Sequence, residues 1–410
     1  MKKFIALLLL ITLSFASQAK PLELLHWWSS KGELNALSYL EKVMDRQHSG
    51  WEPKSIVGSG GENAMYVLQA RAIAGTPPEV AQIEGTDILS WAQLGFVNYL
   101  DKLAKTQDWQ HTLRPLVTQI NSFEGRYVSL PLTIHRTNWL WLNKAVFKQS
   151  HLTPPTTWRD LLVAIHQLKS MGIQPIALGK DSWQISILFE NIALGLGGSE
   201  YYHNALVDIN AETINSAKTH EVLSVFREIS LAINKDLTQS TWQQETDKLF
   251  QGQAAMQITG DWVIGELNVA NEKTQNNIAC FVAPQTQDNF VFNMDSLISL
   301  SGSQNFDQVE QLFKKLSQKK FLHDFNRLKG SIPPRNDIDV SDYNACSRKS
   351  NQDYTRSEVS NTLLPSMTDS MAIDPRKQRL LVNEIYKYFI NTKMTEQAFI
   401  SNVIAISKIE

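Results

Sequence analysis

The stretch Leu24-Leu-His-Trp-Trp-Ser-Ser-Lys-Gly-Glu33 joins two kinds of hydrophobic pattern. An apolar run of strand length ends in Trp27 and Trp28. A Gly-Glu pair then opens an amphipathic pattern with Leu34, Leu37, Leu40 and Met44. The reading is strand, loop, helix. In an α/β sheet the loop leaving a strand's carboxyl end is where ligands bind, and this one carries two indoles and an anionic acceptor. A pyranose ring uses both, because its C–H face packs on an indole while its hydroxyls take charged or amide partners. The two indoles suit an ordinary core equally well.

Working outward, strands and helices keep alternating. A strand-like piece from Lys54 to Val57 enters the turn Gly58-Ser-Gly-Gly-Glu62, and a helical pattern follows from Ala64 to Ala74. The turn matches neither a dinucleotide fingerprint nor a phosphate-cradling loop, which excludes a nucleotide site. Val80-Ala-Gln-Ile83 reads as a buried strand with Glu84 just past its end, and Asp87 as the cap of a helix from Ile88 to Leu94. Thr133 to Asn143 is a strand rich in aromatics and includes His135. Thr157 and Asp160 cap a helix from Trp158 to Met171, and Ile176-Ala-Leu178 is a strand with Trp183 in the loop after it. Gly260-Asp-Trp262 again places an indole at a strand's edge. The alternation predicts an α/β fold with parallel sheets.

Lys2 and Lys3 precede an apolar stretch from Phe4 to Phe15, and Ser17-Gln-Ala19 offers the small residues that a signal peptidase reads. Residues 1–19 are therefore expected to be a signal peptide cleaved after Ala19, with the chain exported to the periplasm. No later run approaches the roughly 20 apolar residues of a membrane span. In that oxidising compartment Cys280 and Cys346, the only cysteines, are expected to form a disulfide rather than a metal site. With 39 basic against 41 acidic residues, nothing points to nucleic acid. The basic run Lys314, Lys315, Lys319 and Lys320 reads as a solvated helix face. No GxSxG, HExxH or P-loop suggests catalysis or a cofactor.

HWWSSKGE, GSGGENAM, SLPLTIHRTNWLWLNK, PPTTW, QGQAAMQITGDW, FNMDS and LKGSIPPR, spread in order along the chain, together resemble the glucose-type sugar-binding proteins of bacterial ABC transporters, in the extracellular solute-binding protein family 1. The resemblance implies a two-lobe periplasmic binding protein fold (type II) with parallel-rich sheets and a cleft between lobes. It implies lobe 1 from 20–131 plus 260–318 and lobe 2 from 132–259 plus 319–410, with crossings near Leu130 to Leu132, near Ile258 to Gly260 and about Lys319. Carried over by position, it makes Trp27, Trp28, Glu33, Trp242, Trp262, Asp295 and Lys329 ligand contacts. His135 and Trp183 lie in or beside the cleft, where His135 equally suits a structural role at the hinge.

Two positions depart from that pattern. Glu84 stands where such relatives carry a lysine, and Asp369 where they carry a histidine. Four carboxylates would then face Lys329, which points to a ligand with an amino group, such as glucosamine; a neutral hexose or disaccharide is the alternative. The partners implied are the transmembrane subunits of an ABC permease, and a monomer is expected. A glycoside hydrolase and a sugar-sensing accessory protein are the competing classes.

Overall fold

The computed structural model describes residues 22–43, 51–56, 61–302 and 305–409. The expected signal peptide, its cleavage point and the Gly58-Ser-Gly60 part of the turn lie outside the described residues. In chain order the strands are β1 (Leu22–His26), β2 (Trp51–Ser55), β3 (Val80–Glu84), β4 (Ser122–Phe123), β5 (Arg126–Tyr127), β6 (Leu130–Pro131), β7 (His135–Arg136), β8 (Trp139–Asn143), β9 (Gln174–Ile176), β10 (Ala254–Thr259), β11 (Ile278–Val282), β12 (Phe290–Asn293), β13 (Asp295–Ser299) and β14 (Leu363–Pro365).

The first lobe is built on a sheet ordered β2-β1-β3-β13-β6. Successive side chains of a strand point to opposite faces, so β1 serves two cores. Leu22 and Leu24 bury with helices Lys31–Val43, Phe306–Leu316 and Lys319–Lys329, while Leu25 buries with helices Glu62–Ile73 and Gly85–Gln93. The first helix starts where it does because Ser30 and Glu33 cap each other: Glu33 N–H donates to Ser30 Oγ at 3.2 Å, and Ser30 N–H donates to Glu33 Oε2 at 3.0 Å. A Cβ on Gly32 would lie 2.3 Å from the carbonyl carbon of Gly265, so this helix meets helix Val263–Val269 backbone to backbone.

The second lobe is built on a sheet ordered β11-β8-β10-β9, with Trp139 and Trp141 fully buried in it. Its core takes side chains from helices Trp158–Ser170, Ser182–Tyr202, Ala217–Ile233, Pro375–Ile390 and Glu396–Ser407. Between the lobes lies a small sheet ordered β14-β12-β7. The chain passes from β6 in the first sheet to β7 here, and from β12 here to β13 in the first sheet. Fully buried Arg136 in β7 donates to Asp353 Oδ2 at 2.6 Å, tying this small sheet to helix Ala345–Ser360.

Three expectations change. The sheets are mixed rather than parallel-rich: β1 runs parallel to β2 and β3, but β13 is antiparallel to both β3 and β6, and β8 to both β10 and β11. Parallel neighbours need a crossover helix, whereas β6 and β13 meet the first sheet directly from the small sheet. Within 260–318, β11 hydrogen-bonds to β8, so that segment returns to the second lobe's sheet before β12 leads into β13. Lys319 is not a crossing. Phe321, Leu322 and Phe325 share the core of Leu22 and Leu24, and this core extends to Ile332, whose backbone bridges to Ile134. The expected disulfide is present, joining Cys280 of β11 to Cys346 of helix Ala345–Ser360. Among the described residues no helix is long and apolar enough to cross a membrane.

Candidate binding site between the lobes

All eleven residues singled out in the sequence line one cavity of about 290 Å³. The first lobe supplies Trp27 and Trp28 from the loop after β1, Glu33 from the first helical turn, Glu84 from the end of β3 and Asp295 from the start of β13. Glu84 and Asp295 sit directly opposite each other in the antiparallel β3–β13 register, which forces their carboxyl groups together. Lys329 is the last residue of its helix, and His135 opens β7. From the other side come Trp183 and Trp242, each in the first turn of a helix rather than in a loop, and Asp369 from the turn after β14. Trp262, just before helix Val263–Val269, anchors an aromatic fan: its ring centroid lies 5.9 Å from Trp183, 6.4 Å from Trp242 and 5.8 Å from His135. The rings meet edge to face, a stable arrangement.

The charges are distributed unevenly. Lys329 Nζ donates to Glu33 Oε1 at 3.0 Å, while Glu33 Oε2 accepts from the Ser29 and Ser30 backbone at 2.9 and 3.0 Å. Burial alone would raise the Glu33 carboxyl; Lys329 and the two N–H groups hold it below its ordinary range. Lys329 is thus mainly committed to Glu33. Asp295 accepts from Gln82 at 2.7 Å and Thr133 at 3.0 Å. Against burial, His135, Lys329 and Gln82 keep Asp295 ionised. Burial also opposes charge on His135, but Asp261 at 2.6 Å lifts its pKa to about 9. The imidazolium is the second cation of the site.

Among the described residues neither Glu84 nor Asp369 has a cation at ion-pair distance, and only Asp369 feels the attraction of His135. Burial, then Asp295 and Asp369, push the Glu84 carboxyl well above its ordinary value, and Asn293 donates to it at 3.0 Å. Burial raises Asp369 to about 6, against the hydrogen bond from Ser366 at 2.8 Å and the attraction of His135. The two are neighbours because the lobes touch here: Thr86 N–H donates to the Ser370 carbonyl at 2.9 Å, and Thr86 Oγ1 to that of Ile373 at 2.7 Å. Gly85, at φ 44°, permits this approach, since a Cβ would lie 2.2 Å from the Ser370 oxygen.

Sequence reading missed several residues of the site. Gln82, two positions before Glu84, shares its face of β3 and orients both Asp295 and the Trp27 backbone. Asn293, two positions before Asp295 in the same motif, donates to Glu84. Asp181 also lines the cavity. Glu190, fully buried, holds the turn that carries Asp369 by accepting from Thr368 N at 2.9 Å and Ser366 Oγ at 3.3 Å. Its signal was an acid inside the apolar run Ile185 to Leu194.

The sequence pattern of the bacterial extracellular solute-binding proteins matches residues 39–319, well over half of the 410. The chain belongs to that family. This solute-binding protein is 29% identical over 399 residues to a probable sugar-binding periplasmic protein of Rhizobium meliloti (strain 1021), covering 97% of this chain and 96% of the relative. Among solved structures, the bacterial solute receptor AcbH, reported to prefer β-D-galactopyranose exclusively, matches with a TM-score of 0.79 at 16% identity, over 95% of this chain and 97% of that one. A chitin oligosaccharide binding protein matches with a TM-score of 0.77 at 16% identity, over 94% and 98%. At such identity these likenesses show the fold, two lobes around a cleft.

Proposed function

We propose that this chain is the substrate-binding component of a bacterial ABC sugar importer. After export to the periplasm it binds a mono- or small oligosaccharide between its lobes and presents it to the membrane permease. The observation that carries this reading is the cavity itself. Indoles from both sides, Trp27 and the core-buried Trp28 together with Trp183, Trp242 and Trp262, line it beside a set of hydrogen-bonding acids, amides and one lysine. Apolar C–H faces and hydroxyls of a sugar ring match that lining. The sugar-binding relative supports it. The protein acts as a binder, so aryl glycosides should show no turnover.

The ligand we favour carries an amino group. Lys329 is neutralised by Glu33 and His135 mainly by Asp261 and Asp295, which leaves Glu84 and Asp369 as neighbouring acids with no ion-paired cation among the described residues, Asp369 feeling only the residual pull of His135. An ammonium group bound between them would stabilise their charged forms. A thermal-shift screen of the chain from Lys20 against glucose, galactose, mannose, glucosamine and N-acetylglucosamine tests both statements, because a ligand that binds the native state raises its melting temperature. A shift with glucosamine and none with glucose is expected. A shift with glucose alone would sink the ammonium site while leaving sugar binding intact.

A further inference from the structure

We infer that the cleft holds a second sugar subsite, so that the ligand spans at least two rings, with Asp87 and Arg379 as polar partners of the second ring. This rests on the sugar-binding reading above. A compartment of about 500 Å³ adjoins the first cavity, and Trp27, Glu84 and Trp183 line both. Trp27 is half-buried at the boundary, where an indole can serve rings in either compartment.

Asp87 carries the argument. The sequence marked it as a helix cap, but the helix begins at Gly85, so Asp87 lies inside the first turn and caps nothing. It is only 7% exposed, lines the second compartment, and accepts no hydrogen bond and joins no close ion pair among the described residues. Its carboxyl oxygens are not sealed from water, so Asp87 presents the compartment with a free acceptor that a ligand hydroxyl can use in place of solvent. Burial holds its pKa up at about 6, against the pull of Arg379.

Arg379 lines the compartment from helix Pro375–Ile390 of the other lobe. Its guanidinium lies over the Tyr66 ring, 5.8 Å from the centroid, and donates no hydrogen bond among the described residues. Tyr66, half exposed, presents an aromatic face from helix Glu62–Ile73. The second compartment therefore repeats the elements of the first: an acceptor, a donor and an aromatic surface, drawn from both lobes.

Isothermal titration with glucosamine, its β-1,4-linked dimer, glucose, maltose and cellobiose tests this, on the wild-type chain and on Asp87→Asn and Tyr66→Ala variants. One disaccharide should bind at least about tenfold tighter than its monosaccharide. Each substitution should weaken that disaccharide about tenfold, the scale of one charge-assisted hydrogen bond for Asp87 and of one aromatic contact for Tyr66, and leave the monosaccharide within about twofold. Equal affinity for both sugar lengths would overturn the subsite. So would an Asp87→Asn variant that weakens both lengths alike, as expected if Asp87 and Arg379 merely latched the lobes. In either case sugar binding itself would stand, whereas no binding by any of the five sugars would defeat both readings.

Discussion

Glu33 serves the fold and the site at once, since it accepts from the first helix's N-terminus and from Lys329. Lys329 is only 4% exposed, so removing its anion leaves a buried cation uncompensated. Replacing Glu33 by Gln should cost about 3–5 kcal/mol in urea unfolding, and Lys329→Met in the same chain should restore a large part. An unchanged midpoint for the single variant would contradict the pairing. Protonation gives a second prediction. Asp369 has an ordinary pKa near 3.8 and a folded pKa of about 6, so the folded state binds more protons between those values and stability falls as pH rises through that window. His135, raised from 6.5 to about 9, stabilises fully below pH 6.5, and that contribution is lost as pH rises to about 9. Melting temperature of the ligand-free protein should therefore decline in both windows, and Asp369→Asn should lessen the lower decline without abolishing it, because Asp87, also raised to about 6, titrates in the same window.

At the scale of elements, the disulfide links the edge strand β11 to helix Ala345–Ser360, which packs on the small sheet between the lobes. Its half-cystines are 66 residues apart, for which loop-closure entropy predicts about 4 kcal/mol of stabilisation. Replacing both cysteines by serine should lower the urea midpoint accordingly; no change would mean that helix is held by Arg136–Asp353 and its other contacts alone. The local elements were legible because their signals are local. The strand, loop and helix around Trp27 appear as read, and Thr157 and Asp160 form the expected capping box. What escaped depended on partners distant in sequence. The pattern of residues 278–282 does not reveal that they pair with β8, and nothing near Lys319 tells which sheet Phe321 and Phe325 cover. The site followed the same rule. Strand ends and helix starts pointed to Trp27, Glu84 and Trp262, but Glu190 could be linked to Asp369 only through the folded turn between Ser366 and Thr368.

For the whole molecule, the cavity draws walls from both lobes, and the lobes meet at Thr86 with Ser370 and Ile373. A ligand can favour the closed arrangement only through contacts made better there, and indoles on both sides provide them. Small-angle scattering should show a smaller radius of gyration with saturating sugar than without; identical profiles would remove closure from the account. The central claim is that sugar binds in this cavity, and Trp262 sits at the centre of its aromatic fan. Titration calorimetry of the wild-type and Trp262→Ala proteins with the panel of mono- and disaccharides tests it most directly. The account predicts at least one sugar bound by the wild type and weakened at least about a hundredfold in the variant, the scale of losing a central aromatic anchor. No binding by any sugar, or equal affinity for both proteins, would contradict it.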